Sequence, residues 1–177
     1  MIPTNVESTQ ERKRIVIAKE TSVEAYKAYT WGDYYPKRWK SLMKNESSNA
    51  GFNFYAFLLT YKWFFFRKMP VFGVVLMLLE IAATVGGNLA VSHFRVSHEY
   101  ALIIVAGSLV ILMLFSGLVA NRVYFNQARK VIESYISSRV PDEYFGEALR
   151  SDGGTSLGNF LLSVFVSGVV YSMLNAG

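Results

Sequence analysis

Residues 71–91 read VFGVVLMLLEIAATVGGNLAV, 21 residues with a single charge at Glu80. As a helix rising about 1.5 Å per residue, the run matches a hydrocarbon core of roughly 30 Å. Two more runs share its character. Ala101 to Ala120 is 20 residues with no charge, and Leu157 to Leu174 is 18 with none, although Asn159 and several serines dilute it. Runs of this length and purity indicate transmembrane helices, and they argue against the alternative of a soluble protein with a large helical core.

The bulk composition agrees. Apolar residues make up 52% of the 177 and charged residues 18%, where soluble domains carry about 25%. Cysteine is absent, which excludes disulfides, thiolate metal sites and thiol catalysis. The first thirty residues hold Arg12, Lys13, Arg14, Glu20 and Glu24 and no apolar core of signal-peptide length, so internal helices are expected to drive insertion. A net charge of +5 is too diffuse to argue for nucleic acid.

Outward from the spans, the chain divides into five segments. Residues 1–51 are polar, weakly helical from Ile15 to Tyr29, then rich in turns around Gly32 and Pro36. Residues 52–69 form an aromatic block in which nine of the fifteen residues from Phe52 to Phe66 are aromatic. The block is too short to cross, contains Lys62, and reads as an interfacial helix lying in or dipping into one leaflet. Arg67-Lys68 ends it, and Pro70 suits the first turn of the next helix. Residues 70–120 are a transmembrane hairpin. Residues 121–156 begin as an amphipathic helix, with Tyr124, Ala128, Val131 and Tyr135 at helical spacing. Pro141 stops that helix, and an acidic-leaning loop leads to Gly153-Gly154. Residues 157–177 hold the third span and a tail. The fold class expected is an all-α membrane protein with about three transmembrane helices, an aromatic interfacial helix and an amphipathic cytoplasmic helix.

Charge placement orients it. Residues 1–70 carry 12 of the 18 lysines and arginines, while the loop Ser92–Tyr100 has only Arg95. By the positive-inside rule the N-terminus and residues 121–156 are cytoplasmic and that loop is outside. Lys37, Arg38, Trp39, Trp63, Arg67, Lys68, Arg129 and Lys130 combine aromatic and basic character in the way a lipid interface accommodates, with anionic headgroups as partner.

Glu80 carries the most information of any residue. A carboxylate near the middle of a span costs roughly 2.5–3.5 kcal/mol on insertion scales, so it is expected to face protein or water. Ala83, Thr84 and Gly87 follow it on the same face, with Ala82, Gly86 and Ala90 in a row beside it. Small residues at four-residue spacing let helices approach closely, whereas Val74, Leu78, Ile81 and Val85 offer a face for lipid. A hydrogen bond from Glu80 to Ser108, Ser116 or a second protomer is the expected structural role, and a proton or ion ligand the functional one.

Other motifs are weaker. Gly154-Thr155-Ser156-Leu157-Gly158 matches the Gly-x-Ser-x-Gly of serine hydrolases, but no strand precedes it and His93 and His98 both come earlier in the chain. Those histidines are five apart, where helical metal pairs prefer four. Gly153-Gly154 lacks the Gly-Lys-Ser/Thr of a phosphate-binding loop. No catalytic, cofactor or metal site is expected.

Phe52-Asn53-Phe54-Tyr55-Ala56-Phe57, followed by Trp63-Phe64-Phe65-Phe66-Arg67-Lys68-Met69 and by Asn121-Arg122-Val123-Tyr124, resembles a widespread bacterial family of small inner-membrane proteins catalogued only as a domain of unknown function. The family pattern has Trp where Phe54 stands and an aromatic residue at Pro70. The resemblance covers about residues 52–135 and implies a bacterial or phage-borne inner-membrane protein with no established reaction. The reading that follows is a non-enzymatic membrane component that assembles with itself or with a membrane-protein partner. The alternative is an oligomeric pore or an ion or proton pathway using Glu80.

Overall fold

The computed structural model describes residues 23–44 and 50–175; residues 15–22 of the expected N-terminal helix lie outside them. The described residues form helices and connecting turns, and three helices are long and apolar enough to cross a membrane. The described residues divide into two compact units, 23–44 and 50 with 122–154, and 51–121 with 155–175.

The first unit contains α1 (Val23–Thr30) and two short helices, α2 (Tyr34–Arg38) and α3 (Lys40–Met43). It also holds the end of α7 (His98–Ser137) and α8 (Asp142–Asp152). Its core is aromatic. Trp39 is completely buried between Tyr35, Tyr124 and Phe125, with ring centroids 5.0, 5.2 and 5.5 Å away. Tyr26 stacks on Phe125 at 5.6 Å. Ala128 and Ile132, one and two turns beyond Tyr124, are also fully buried. Helix α1 packs on α8 through the two glycines before Thr155. The Gly154 N–H donates to the Tyr29 carbonyl at 2.6 Å, and a Cβ on Gly153 would overlap that same carbonyl. Gly154 itself sits at φ 71° against the Trp31 ring, in a conformation glycine adopts freely. The Gly-Gly pair is therefore a packing device.

Two expectations change here. The stretch after Pro141 is a helix, because Pro141 stands at its N-cap, acidic Glu143 suits the positive helix start, and Leu149 is fully buried. Second, the boundary at 121, where the two units divide, is not the start of a new helix. Helix α7 runs 40 residues without interruption, about 60 Å at 1.5 Å per residue. The change in composition at Asn121 marks a change of surroundings, while the backbone continues.

The second unit holds α4 (Phe54–Leu59), α5 (Tyr61–Phe66), α6 (Pro70–Ser92), the apolar part of α7 and α9 (Leu157–Asn175). Pro70 occupies the first turn of α6, as expected. Ser156 caps α9, its hydroxyl accepting the Asn159 N–H at 3.2 Å; this gives the Gly-x-Ser-x-Gly serine a structural task. The aromatic block differs from the single helix expected. It is a hairpin of two six-residue helices broken at Thr60, and α5 packs on both α6 and α9. Glycines admit its rings, since a Cβ on Gly73 would lie 2.7 Å from the Phe65 ring and one on Gly117 would overlap Phe52.

Candidate functional site

The hairpin is anchored at its start by two asparagines. Asn53 caps α4 by accepting the Ala56 N–H at 3.0 Å, and its Nδ2 donates to Asn121 Oδ1 at 2.8 Å. Asn121 Nδ2 donates to the Gly51 carbonyl at 3.0 Å, and the Asn53 N–H donates to the Gly117 carbonyl at 2.8 Å. Every side-chain amide in this junction bonds a named partner, as burial requires. The Asn residues of the two sequence blocks singled out above are thus bonded directly to each other.

From this anchor α4 runs inward to Thr60. There the helical ladder ends: the Thr60 N–H still reaches the Ala56 carbonyl at 2.9 Å, and the next bond is from the Trp63 N–H to the Thr60 carbonyl at 3.2 Å. Thr60 has φ 47° and ψ −124°, a costly conformation for a β-branched residue, of order 1–3 kcal/mol. Strain of this kind persists only where the surroundings fix it. Here they do so with Glu80, the eleventh of the 23 residues of α6. Thr60 Oγ1 lies 3.4 Å from Glu80 Oε2, and the Tyr171 hydroxyl of α9 donates to Glu80 Oε1 at 3.1 Å.

Two further hydroxyls complete the cluster. Thr84 Oγ1 donates to the Glu80 backbone carbonyl at 3.1 Å and is also within hydrogen-bonding reach of Tyr171. The other belongs to Tyr61, the neighbour of Thr60 in the chain. It is buried without a hydrogen-bond partner, at a cost of about 1–3 kcal/mol. Among the described residues no lysine or arginine forms an ion pair with Glu80. Lys62, two residues past the break, rests its ammonium over the Tyr61 ring, 4.0 Å from the centroid.

The partners expected for Glu80 are therefore replaced. Ser108 donates back to the Ile104 carbonyl at 2.8 Å, and Ser116 has no hydrogen-bond partner. Of the small residues, Gly87 is buried, with Val105 where a side chain would go, and Ala83 and Ala90 are half-buried. Ala82 and Gly86 are exposed, and nothing lies within 4 Å of where a Gly86 Cβ would stand. The two rows thus separate, one facing α7 and one facing outward.

The interface residues divide as well. Lys37, Arg38, Arg129 and Lys130 are exposed, Arg129 in an ion pair with Glu133 at 2.7 Å. Arg67 and Lys68 are half-buried at the end of the hairpin. Trp39 and Trp63 differ from expectation in being buried, 0% and 2% exposed, Trp39 among Tyr35, Tyr124 and Phe125 and Trp63 against Phe64. His93 ends α6 and His98 opens α7, both exposed. In the first unit Lys27 bonds Glu24 and Asp33 at 3.0 and 3.2 Å, and these carboxylates hold its ammonium above the usual lysine range. The Tyr135 hydroxyl is likewise raised, first by its hydrogen bond to Asp152.

A family model described as a protein of unknown function (DUF2628) matches residues 7–130. That range takes in both sequence blocks on which the resemblance was drawn. No curated protein and no solved structure matches the chain.

Proposed function

We propose, for a chain that belongs to the DUF2628 family, that it is a non-enzymatic membrane component which assembles through the outer face of its first span. The observation that carries this reading is the exposed Ala82–Gly86 row. Lipid tails gain nothing from small side chains, whereas a neighbouring helix gains close backbone approach. Only 11% of the most apolar stretch of each span is buried within the chain, so ample helix surface is left for a neighbour. The exposed Lys37, Arg38, Arg129 and Lys130 would rest on anionic lipid, each worth about 1 kcal/mol near the surface. With the charge bias of residues 1–70 this supports a cytoplasmic N-terminus in a bacterial inner membrane.

The neighbouring glycines make the test specific. Gly86→Leu has no cost within the protomer, because the space is open. Gly87→Leu collides with Val105. The wild-type chain in mild detergent is expected to have a protein mass above the 20.0 kDa of one copy. Gly86→Leu should lower that mass toward 20.0 kDa at unchanged yield, and Gly87→Leu should lower the yield itself. A wild-type mass of one copy, or a Gly86→Leu mass equal to wild type, contradicts assembly through this face.

A second reading, an oligomeric pore or ion pathway using Glu80, is favoured by the mid-span carboxylate that bonds two neutral hydroxyls and no cation among the described residues.

A further inference from the structure

Structural hydrogen bonding alone leaves two features of the Glu80 cluster without a purpose. Tyr61 buries a hydroxyl that bonds nothing, although a phenylalanine would fill the same space. Thr60 holds a positive φ at the tip of an interrupted hairpin, although a continuous helix would satisfy more of its backbone. Thr60 brings its hydroxyl to within 3.4 Å of one carboxylate, and Tyr61 is its neighbour in the chain. The break also frees backbone, because the last carbonyls of α4 leave the ladder where it ends.

We infer that Glu80, Thr60, Tyr61 and Tyr171 form an intramembrane binding site for an alkali cation. The donor set is entirely oxygen, which suits a hard cation. Glu80 is the one charged group among the four, so a monovalent ion leaves the site neutral. A divalent ion would leave a net positive charge inside the apolar span, where charge is costly. Glu80 supplies the charge and the three hydroxyls supply neutral ligands. The cation in turn gives the Tyr61 oxygen the partner it lacks. The site deepens the second reading above by naming its ligand, and binding requires neither assembly nor flux.

The experiment uses the full chain in lipid nanodiscs, melted in choline chloride and in sodium or potassium chloride at constant ionic strength. A ligand that binds only the folded state raises the melting temperature with its concentration. The wild type is expected to melt higher in at least one alkali salt, with a saturating dependence. Glu80→Gln should lose the alkali-specific shift. Tyr61→Phe removes a hydroxyl with no protein partner, so it should melt no lower than wild type in choline. It should nevertheless need at least tenfold more alkali salt for a half-maximal shift. Gly86→Leu should keep the shift, which separates the site from assembly. Identical melting of the wild type in alkali and choline salts overturns the site, as does an undiminished shift in Glu80→Gln or Tyr61→Phe. Sodium or potassium flux into liposomes tests the pathway separately: binding without flux keeps the site and removes the pathway.

Discussion

Replacing Asn121 with leucine is expected to destabilise the protein by about 2–5 kcal/mol, while the same change at Asn126 alters it by less than about 0.5 kcal/mol. Both residues lie on α7, so helix propensity does not distinguish them. Asn121 is 1% exposed and bonds Asn53 Nδ2 and the Gly51 carbonyl. Leucine removes the acceptor of the buried Asn53 Nδ2 and the donor to the Gly51 carbonyl, each loss worth about 1–3 kcal/mol. Because Asn53 also caps α4, losing its orientation loosens the start of the hairpin. Asn126 is exposed and leaves nothing unpaired. Unfolding from mild detergent into SDS, followed by circular dichroism, measures the difference. Equal midpoints for the two variants would show that the asparagine pair does not hold the hairpin.

The second large effect is a reversal of sign within the first unit. Gly153→Ala should cost about 3 kcal/mol or more, whereas Gly146→Ala should stabilise by about 0.5–1 kcal/mol. At Gly146, inside α8, a Cβ meets nothing within 4 Å, so alanine brings only its better helix propensity. At Gly153 the Cβ would enter the Tyr29 carbonyl. Backbone cannot rotate aside as a side chain can, and the adjacent Gly154 N–H bond to that carbonyl at 2.6 Å fixes the separation. Relief requires α1 to move from α8, which would disturb the aromatic core around Trp39. A red shift of tryptophan emission in Gly153→Ala and none in Gly146→Ala is the expected signature. A Gly153→Ala protein as stable as wild type would mean that α1 and α8 do not meet as described.

The spans were legible because hydropathy over about twenty residues depends on no tertiary contact. The Pro70 start and the close approach at Gly87 followed from local chemistry in the same way. The break at Thr60 was not legible: the aromatic block contains neither Gly nor Pro, and a threonine at positive φ is imposed by its surroundings. The partners of Glu80 were hidden for a related reason. Thr60 lies 20 residues before it and Tyr171 91 residues after, whereas the hydroxyls that hydropathy places at its side are the serines of the neighbouring span. The burial of Trp39 and Trp63 is not legible in the sequence, because an aromatic residue among lysines looks the same whether it faces a headgroup or a protein core. Tyr61 was counted among the aromatics, and only its burial without a partner sets it apart.

With Thr60 at its turn against Glu80, the aromatic hairpin is expected to enter the membrane and to turn at the depth of that carboxylate. Because the chain contains no cysteine, single cysteines at Leu58, Lys68 and Phe94 can each be labelled alone. Leu58 is near the tip and 52% exposed, and Phe94, in the loop between α6 and α7, is 76% exposed. With a membrane-impermeant maleimide, Lys68 and Phe94 are expected to react from opposite faces. Leu58 should react from neither until the membrane is dissolved, because its exposed surface faces hydrocarbon. Labelling of Leu58 as fast as Lys68 from the same face would place the block along the headgroups, away from Glu80, and would contradict the account.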